Sequence, residues 1–304
     1  MIIAVFPGQG SQSPGFLAPW LERDGARARL AAYSEWSDVD LIAAGTEWDA
    51  DQIRDTRVAQ PLIVAASLLS WNALEDRDAV AGVAGHSVGE FAAAAAAGIL
   101  SEEDALRLVG LRGRAMAEAA AAADTGMSAV IGGDEASVVS RLQDLDLTPA
   151  NYNGGGQLVA AGALDALRRL SAEPPAGTRV IPLQVAGAFH TRFMAPAVQT
   201  LRDAASVATA NDPAIRVWTN RDGSLVASGA VFRDLLVDQV ASPVRWDLCM
   251  ASFADAGVSG LVELSPAGTL TGLAKRALRG VPAVAVKTPD DLEAAAGLLN
   301  GASA

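Results

Sequence analysis

The chain holds a single cysteine, Cys249, among 304 residues, so no disulfide can form within it. That usage suits a reducing compartment, and the cytoplasm is the expected location. Histidine is nearly as scarce: there are two, His86 and His190. A zinc site of the usual nitrogen and sulfur type would consume almost every His and Cys available, so no metal is expected. Basic residues are outnumbered, 23 Lys and Arg against 35 Asp and Glu, for a net charge of −12. No basic tail or arm is present, which argues against nucleic acid as a partner. Long apolar runs are also missing. The longest, residues 91–100, is too short to span a bilayer and follows Glu90 directly, so no membrane partner is expected. The opening Met1-Ile-Ile-Ala-Val-Phe-Pro7 lacks a charged start and a small-residue cleavage site; it reads as a first strand rather than a signal peptide.

What remains is a globular composition, 51% hydrophobic and 19% charged. The length suits one large domain or two modest ones.

The chain is organised around Gly85-His-Ser-Val-Gly-Glu90. An apolar run precedes this G-x-S-x-G element and an Ala-rich stretch follows it. That is the strand, tight turn and helix context of a nucleophile elbow. Gly85 and Gly89 supply the small residues the turn needs. Ser87 would stand at a helix N-terminus, where free N–H groups and the helix dipole favour developing negative charge. The bland alternative is an ordinary βα turn with a capping serine.

Residues 2–6 read as a buried strand running into Pro7-Gly-Gln-Gly-Ser-Gln-Ser-Pro-Gly15. This loop fails as a phosphate loop, because its glycine spacing and the missing Lys-Ser/Thr pair do not match. It can offer backbone N–H groups to an oxyanion, or it can be a solvated turn. Residues 16–48 read as helical with turns, and residues 55–74 contain a buried packing helix.

Ser101 is a plausible N-cap for a helix running to about residue 120. Glu103, Arg107, Arg114 and Glu118 share one face of it. Arg112 falls on the opposite side with Ala105, Leu108, Val109 and Met116. Burying an arginine there is costly unless a carboxylate or phosphate meets it. It is either a structural ion pair, a side chain reaching past the core to water, or a clamp for a substrate carboxylate, whose geometry guanidinium matches.

Strands at 128–131, 149–153, 157–161 and 179–185 alternate with helices at 134–145 and 164–170. This βαββαβ order predicts a ferredoxin-like small subdomain, residues 127–186, inserted into a large α/β domain formed by 1–126 and 187–304. Later residues predict helices at 196–205, 232–240, 246–256, 269–278 and 290–299. Strands are expected at 217–220, 260–264 and 281–287.

A serine nucleophile needs a base. His86 lies beside Ser87 on the elbow, where its side chain should point away, which leaves His190, on a Gly-containing stretch after a strand. A reference pKa of about 6.5 suits that work. No orienting acid is evident; Asp234, Asp238 and Asp247 follow, and nothing local marks any of them.

Phe6-Pro-Gly-Gln-Gly-Ser-Gln12, Gly85-His-Ser-Val-Gly-Glu90, Leu111-Arg-Gly-Arg-Ala-Met116, Gly187-Ala-Phe-His190 and Ser242-Pro-Val-Arg-Trp246 occur in that order. Together they resemble the malonyl-CoA:acyl carrier protein transacylase family, which includes the acyltransferase domains of fatty acid and polyketide synthases. The resemblance covers essentially the whole chain. It implies Ser87 as the acylated nucleophile and His190 as its base, with the N–H groups of Gln9 and Val88 as the oxyanion hole. Arg112 would hold the malonyl carboxylate. The main-chain carbonyl of Gln239 would orient the histidine in place of an acid, and Asn153 would lie near the site. The implied fold is a hydrolase-like α/β domain, with a parallel sheet and the elbow, plus the ferredoxin-like insert.

Val88 and Phe189 resemble the malonyl-selective pattern; methylmalonyl-selective domains usually carry glutamine and serine there. The implied reaction is ping-pong transfer of malonyl from malonyl-CoA to the phosphopantetheine thiol of acyl carrier protein, for fatty acid synthesis. It needs no cofactor beyond malonyl-CoA as substrate, and the chain is expected to be a monomer. Acyl carrier proteins are acidic, so docking calls for a local basic patch. Lys275, Arg276 and Arg279 are candidates, with Arg192 beside His190. Three rivals stand: a serine thioesterase or esterase on the same elbow, a non-catalytic module on an enzyme fold, and a free-standing acyltransferase serving a polyketide synthase.

Overall fold

The computed structural model describes residues 1–301. The chain opens with β1 (Ile2–Phe6), then α1 (Ala26–Ser37), α2 (Leu41–Thr46), α3 (Thr56–Ala73), β2 (Gly82–Gly85), α4 (Gly89–Ala96) and α5 (Glu102–Ala121). A middle segment follows: β3 (Thr125–Gly132), α6 (Glu135–Asp144), β4 (Thr148–Gly154), β5 (Gln157–Ala163), α7 (Leu164–Ala172) and β6 (Thr178–Pro182). The last third carries α8 (Ala195–Val207), β7 (Arg216–Trp218), α9 (Gly229–Asp238), β8 (Val244–Arg245) and α10 (Trp246–Asp255). It ends with β9 (Gly260–Glu263), α11 (Thr269–Ala277), β10 (Ala283–Ala285) and α12 (Leu292–Gly301).

Five strands form a parallel sheet in the order β10-β9-β1-β2-β7. β1 is central and every residue of it is buried, which is why it reads as an unbroken apolar run rather than an alternating one. Phe6 pairs with Gly85, so the loops leaving β1 and β2 emerge side by side at the carboxyl edge. That edge is where open α/β sheets place their ligands. α3 is buried along nearly its whole length and packs against α5 and α4.

The middle segment folds into a second sheet, β6-β3-β5-β4-β8, with a core of its own that includes Val130, Leu142, Leu158 and Leu170. Its pairings are antiparallel except that of β4 with β8. Three details differ from the sequence reading. β3 begins at Thr125, so the boundary expected between residues 126 and 127 falls inside a strand. β6 stops at Pro182 instead of reaching 185; it is an edge strand, and the residues after it run exposed toward the histidine. β8 was not anticipated, because two residues after Pro243 are too few to carry a periodic signal.

Candidate active site

The elbow is built by close approach. A Cβ at Gly85 would run into the backbone of Gly89, and one at Gly89 into the Phe6 carbonyl. The turn holds Ser87 at a φ of 52°, a left-handed conformation that costs a non-glycine residue energy and persists only where its surroundings hold it. Asn220, just past the end of β7, provides that hold. Its Nδ2 donates to the Gly85 carbonyl at 2.7 Å, and its Oδ1 accepts from the Ser87 N–H at 2.7 Å. Val88 is the N-cap of α4, so Ser87 and Val88 sit at the positive end of that helix.

His190 also has left-handed backbone, with φ at 60°. It is held by Ala188, whose N–H donates to Thr125 Oγ1 at 3.1 Å, and by Thr191, whose hydroxyl donates to the Ala188 carbonyl at 2.7 Å. His190 Nε2 lies 2.7 Å from Ser87 Oγ, and its Nδ1 lies 2.8 Å from the Gln239 main-chain carbonyl. A carbonyl only accepts, so Nδ1 carries the proton and Nε2 is left to accept from the serine. Burial, reinforced by the charge of Arg112, lowers the His190 pKa to about 3, with the Gln239 carbonyl opposing. The imidazole is therefore neutral near pH 7, as a base must be.

Arg112 is 1% exposed. Its Nη1 donates to Gln60 Oε1 at 2.6 Å and its Nη2 to Gln239 Oε1 at 2.7 Å. Its Nε is buried and has no partner among the described residues. Burial pulls its pKa down to about 9, and the charge of Glu90 opposes that; the guanidinium stays charged at neutral pH. A buried cation that lies over the Phe91 ring, whose hydrogen bonds go only to neutral amide oxygens and whose Nε–H has no partner, is suited to receiving an anion.

Ser87, Val88, Arg112, Phe189 and His190 line one cavity of about 340 Å³. Gln9 and Asn153 line it too. Asn153 Oδ1 meets His86 Nε2 at 2.9 Å, and the His86 ring packs edge-on against Trp246, so His86 is tied to the second sheet, while the hydrogen bond to Ser87 Oγ is made by His190. Gln239 lies behind the cavity rather than in it. Arg276 lines the cavity and donates to Gln157 at 3.1 Å, and the neighbouring Lys275 is exposed. Arg192 is ion-paired with Asp146, so its charge is already met.

Sequence reasoning missed Gln60, Glu90 and Asn220. Gln60 did carry a signal, a long polar side chain set directly before the apolar run of residues 61–66, of the kind that singled out Arg112. Among the described residues there is no cluster of His, Cys, Asp and Glu able to hold a metal ion, and no helix is long and apolar enough to cross a membrane.

Residues 3–295 match the acyl transferase domain family. The chain is 53% identical over 302 residues to the malonyl CoA-acyl carrier protein transacylase of Mycobacterium tuberculosis, covering 98% of this chain and 100% of that protein. The crystal structure of MCAT from the same organism superposes with a TM-score of 0.93 at 53% identity, over 96% of this chain and 99% of that one. A holo complex described as a type II PKS acyl-carrier protein with its malonyl-transacylase, PlMCAT:AntF, superposes at a TM-score of 0.91 and 32% identity. It covers 96% of this chain and 97% of that one.

Proposed function

The chain belongs to the malonyl-CoA:acyl carrier protein transacylase family of acyltransferases, and from that premise we propose that it moves a malonyl group from malonyl-CoA to the phosphopantetheine thiol of acyl carrier protein, supplying fatty acid synthesis. One observation carries the reading: the Ser87–His190 pair opens onto the same cavity as a buried arginine with a free N–H.

The geometry supports the following order of events. The Ser87 hydroxyl gives its proton to His190 Nε2 as Oγ attacks the thioester carbonyl. The N–H groups of Val88 and Gln9 receive the oxyanion, helped by the dipole of α4. The intermediate collapses, the C–S bond breaks, and the imidazolium returns its proton to the CoA sulfur. Malonyl now sits on Ser87 as an ester, with its carboxylate on Arg112. The carrier thiol then gives its proton to His190 and attacks the ester. The second tetrahedral intermediate expels Ser87, which recovers the proton. The Gln239 carbonyl keeps Nδ1–H fixed throughout and stabilises the transient imidazolium. Clamping the remote carboxylate positions the thioester, which lowers the barrier by fixing the reacting groups together.

Asn153 completes the cavity wall beside His86. The strand order of the second sheet, β6-β3-β5-β4, supports a ferredoxin-like insert running from β3 to β6, and the elbow at the carboxyl edge of the parallel sheet supports a hydrolase-like body built from the chain on either side of it. These steps draw on side chains and backbone alone, so the reading needs no cofactor or metal. It takes the protein as a cytoplasmic monomer.

Intact-protein mass spectrometry tests the reading. Incubation with malonyl-CoA should give a malonyl adduct on Ser87 that persists in water and moves to added carrier protein. An adduct lost to water before carrier is added would favour a hydrolase; no adduct would remove the nucleophile.

A further inference from the structure

Glu90 is buried beside the site and takes no part in the transfer steps above. It lies in the first turn of α4, but its oxygens do not serve that helix. Oε1 accepts from the Asn220 N–H at 2.7 Å, and Oε2 accepts from Gln239 Nε2. Each of those partners holds working groups. The Asn220 side chain clamps both ends of the elbow, at Gly85 and Ser87. Gln239 gives its side-chain oxygen to Arg112 and its main-chain oxygen to His190, and its Nε2 also reaches the Ser87 carbonyl at 3.1 Å. Nucleophile, base and clamp all converge on one carboxylate through two intermediaries.

Charge points the same way. Arg112 is a buried cation whose hydrogen-bond partners are both neutral amides. The carboxylate that balances it is Glu90, on the far side of the Gln239 amide. The other titratable groups near this pair are His190, which feels Arg112, and Cys249 on α10, which feels Glu90. The histidine is neutral, and burial pushes the cysteine up, so neither competes as counter-ion.

We propose that Glu90 is a positioning residue for the transfer: it fixes the elbow through Asn220 and, through Gln239, sets both the acceptor of His190 and the charge with which Arg112 meets the substrate carboxylate. The proposal rests on the malonyl-transfer reading. Burial raises the Glu90 carboxyl to about 7, against the opposing pull of Asn220, Gln239, Thr219 and Arg112. A buried carboxylate near the limit of ionisation is a costly way to fill space, so a purely structural role would be met as well by a neutral side chain.

Glu90→Gln in the full chain keeps the size and removes the charge. Gln239 loses its carboxylate acceptor, so kcat for malonyl transfer should fall tenfold or more. Arg112 loses its counter-charge, so the apparent KM for malonyl-CoA should fall at least threefold. A structural residue would lower the melting temperature and leave kcat per folded molecule and KM alone. Glu90→Asp keeps the charge on a shorter arm: kcat should fall while KM stays within twofold. Should Glu90→Gln fail to fold, Glu90→Asp decides. A kcat within threefold of the parent in whichever variant folds overturns the proposal, as does a KM in Glu90→Gln that does not fall. Failure of the underlying reading is separate: the parent protein itself would form no malonyl adduct on Ser87.

Discussion

Arg112 and His190 are tied to the same residue: Gln239 accepts from the guanidinium with its side chain at 2.7 Å and from the imidazole with its backbone at 2.8 Å. The guanidinium proposed to hold the substrate carboxylate and the imidazole proposed to move the proton therefore share one support. Removing the guanidinium should cost recognition more than chemistry. Losing one partner of a buried charged pair costs about 2–5 kcal/mol. Arg112→Ala should thus lower kcat/KM for malonyl-CoA on the order of 10²–10³-fold and raise the relative rate with acetyl-CoA. Steady-state rates with both thioesters check this. Malonyl activity that survives the change would mean that Arg112 does not hold the carboxylate.

His190 should stay neutral well below the usual histidine range. Its folded pKa of about 3 lies under the ordinary 6.5, with burial the main cause. Protonation removes the base, so a depressed value moves that loss to lower pH. With only two histidines, ring-labelled protein should show no His190 titration between pH 8 and pH 5 by NMR. Stability carries the matching sign. The unfolded chain takes a proton on this residue below about 6.5 and the folded one does not, so stability falls as pH drops through that window. Glu90 works oppositely. Its folded value of about 7 exceeds the ordinary 4.5, so its contribution falls as pH rises from 4.5 through 7. Melting curves of the parent and of Glu90→Gln should therefore diverge in slope across that range.

The parallel sheet and the elbow were legible because they rest on long or unusual patterns: an all-buried first strand, a glycine-flanked serine and an apolar run on each side. The βαββαβ order was legible for the same reason. The network behind the cavity was not, apart from the Gln239 carbonyl, which the family resemblance alone supplied. Asn220 follows a three-residue strand and Gln239 ends a helix, and a single amide in either place has no spacing that marks it. Their roles exist only through contacts far apart in the chain, such as Asn220 to Glu90 across 130 residues and Gln239 to Glu90 across 149. Gln60 and Arg112 face each other from α3 and α5, a pairing that neither helix shows alone.

Phe189 is buried in the cavity wall next to His190, and in the proposed reading its ring limits the room around the acyl α-carbon. A methyl-sized difference is worth only about 1–3 kcal/mol, or roughly 10–200-fold. Phe189→Ser should raise the ratio of methylmalonyl to malonyl transfer about tenfold, mostly through methylmalonyl. Competition between the two thioesters, with adducts on Ser87 resolved by mass, measures the ratio directly. An unchanged ratio would place the α-carbon away from this ring.

A protein of net charge −12 must still receive an acidic carrier, so its long-range field opposes the encounter and a local patch has to reverse it. Of the basic residues near the cavity, Arg192 is neutralised by Asp146, while Lys275, Arg276 and Arg279 are exposed on and just beyond α11. Arg276 lines the cavity itself and is held to Gln157 at 3.1 Å, so the patch adjoins the cavity into which a phosphopantetheine arm would have to reach. Charge reversal at Lys275 and Arg276 together should raise KM for carrier protein about tenfold or more and weaken its salt dependence, because exposed charges act mainly on encounter. Formation of the malonyl adduct on Ser87 from malonyl-CoA should stay within threefold. Equal losses in both half-reactions would mean that the patch serves CoA instead, and unchanged transfer would move the docking surface elsewhere.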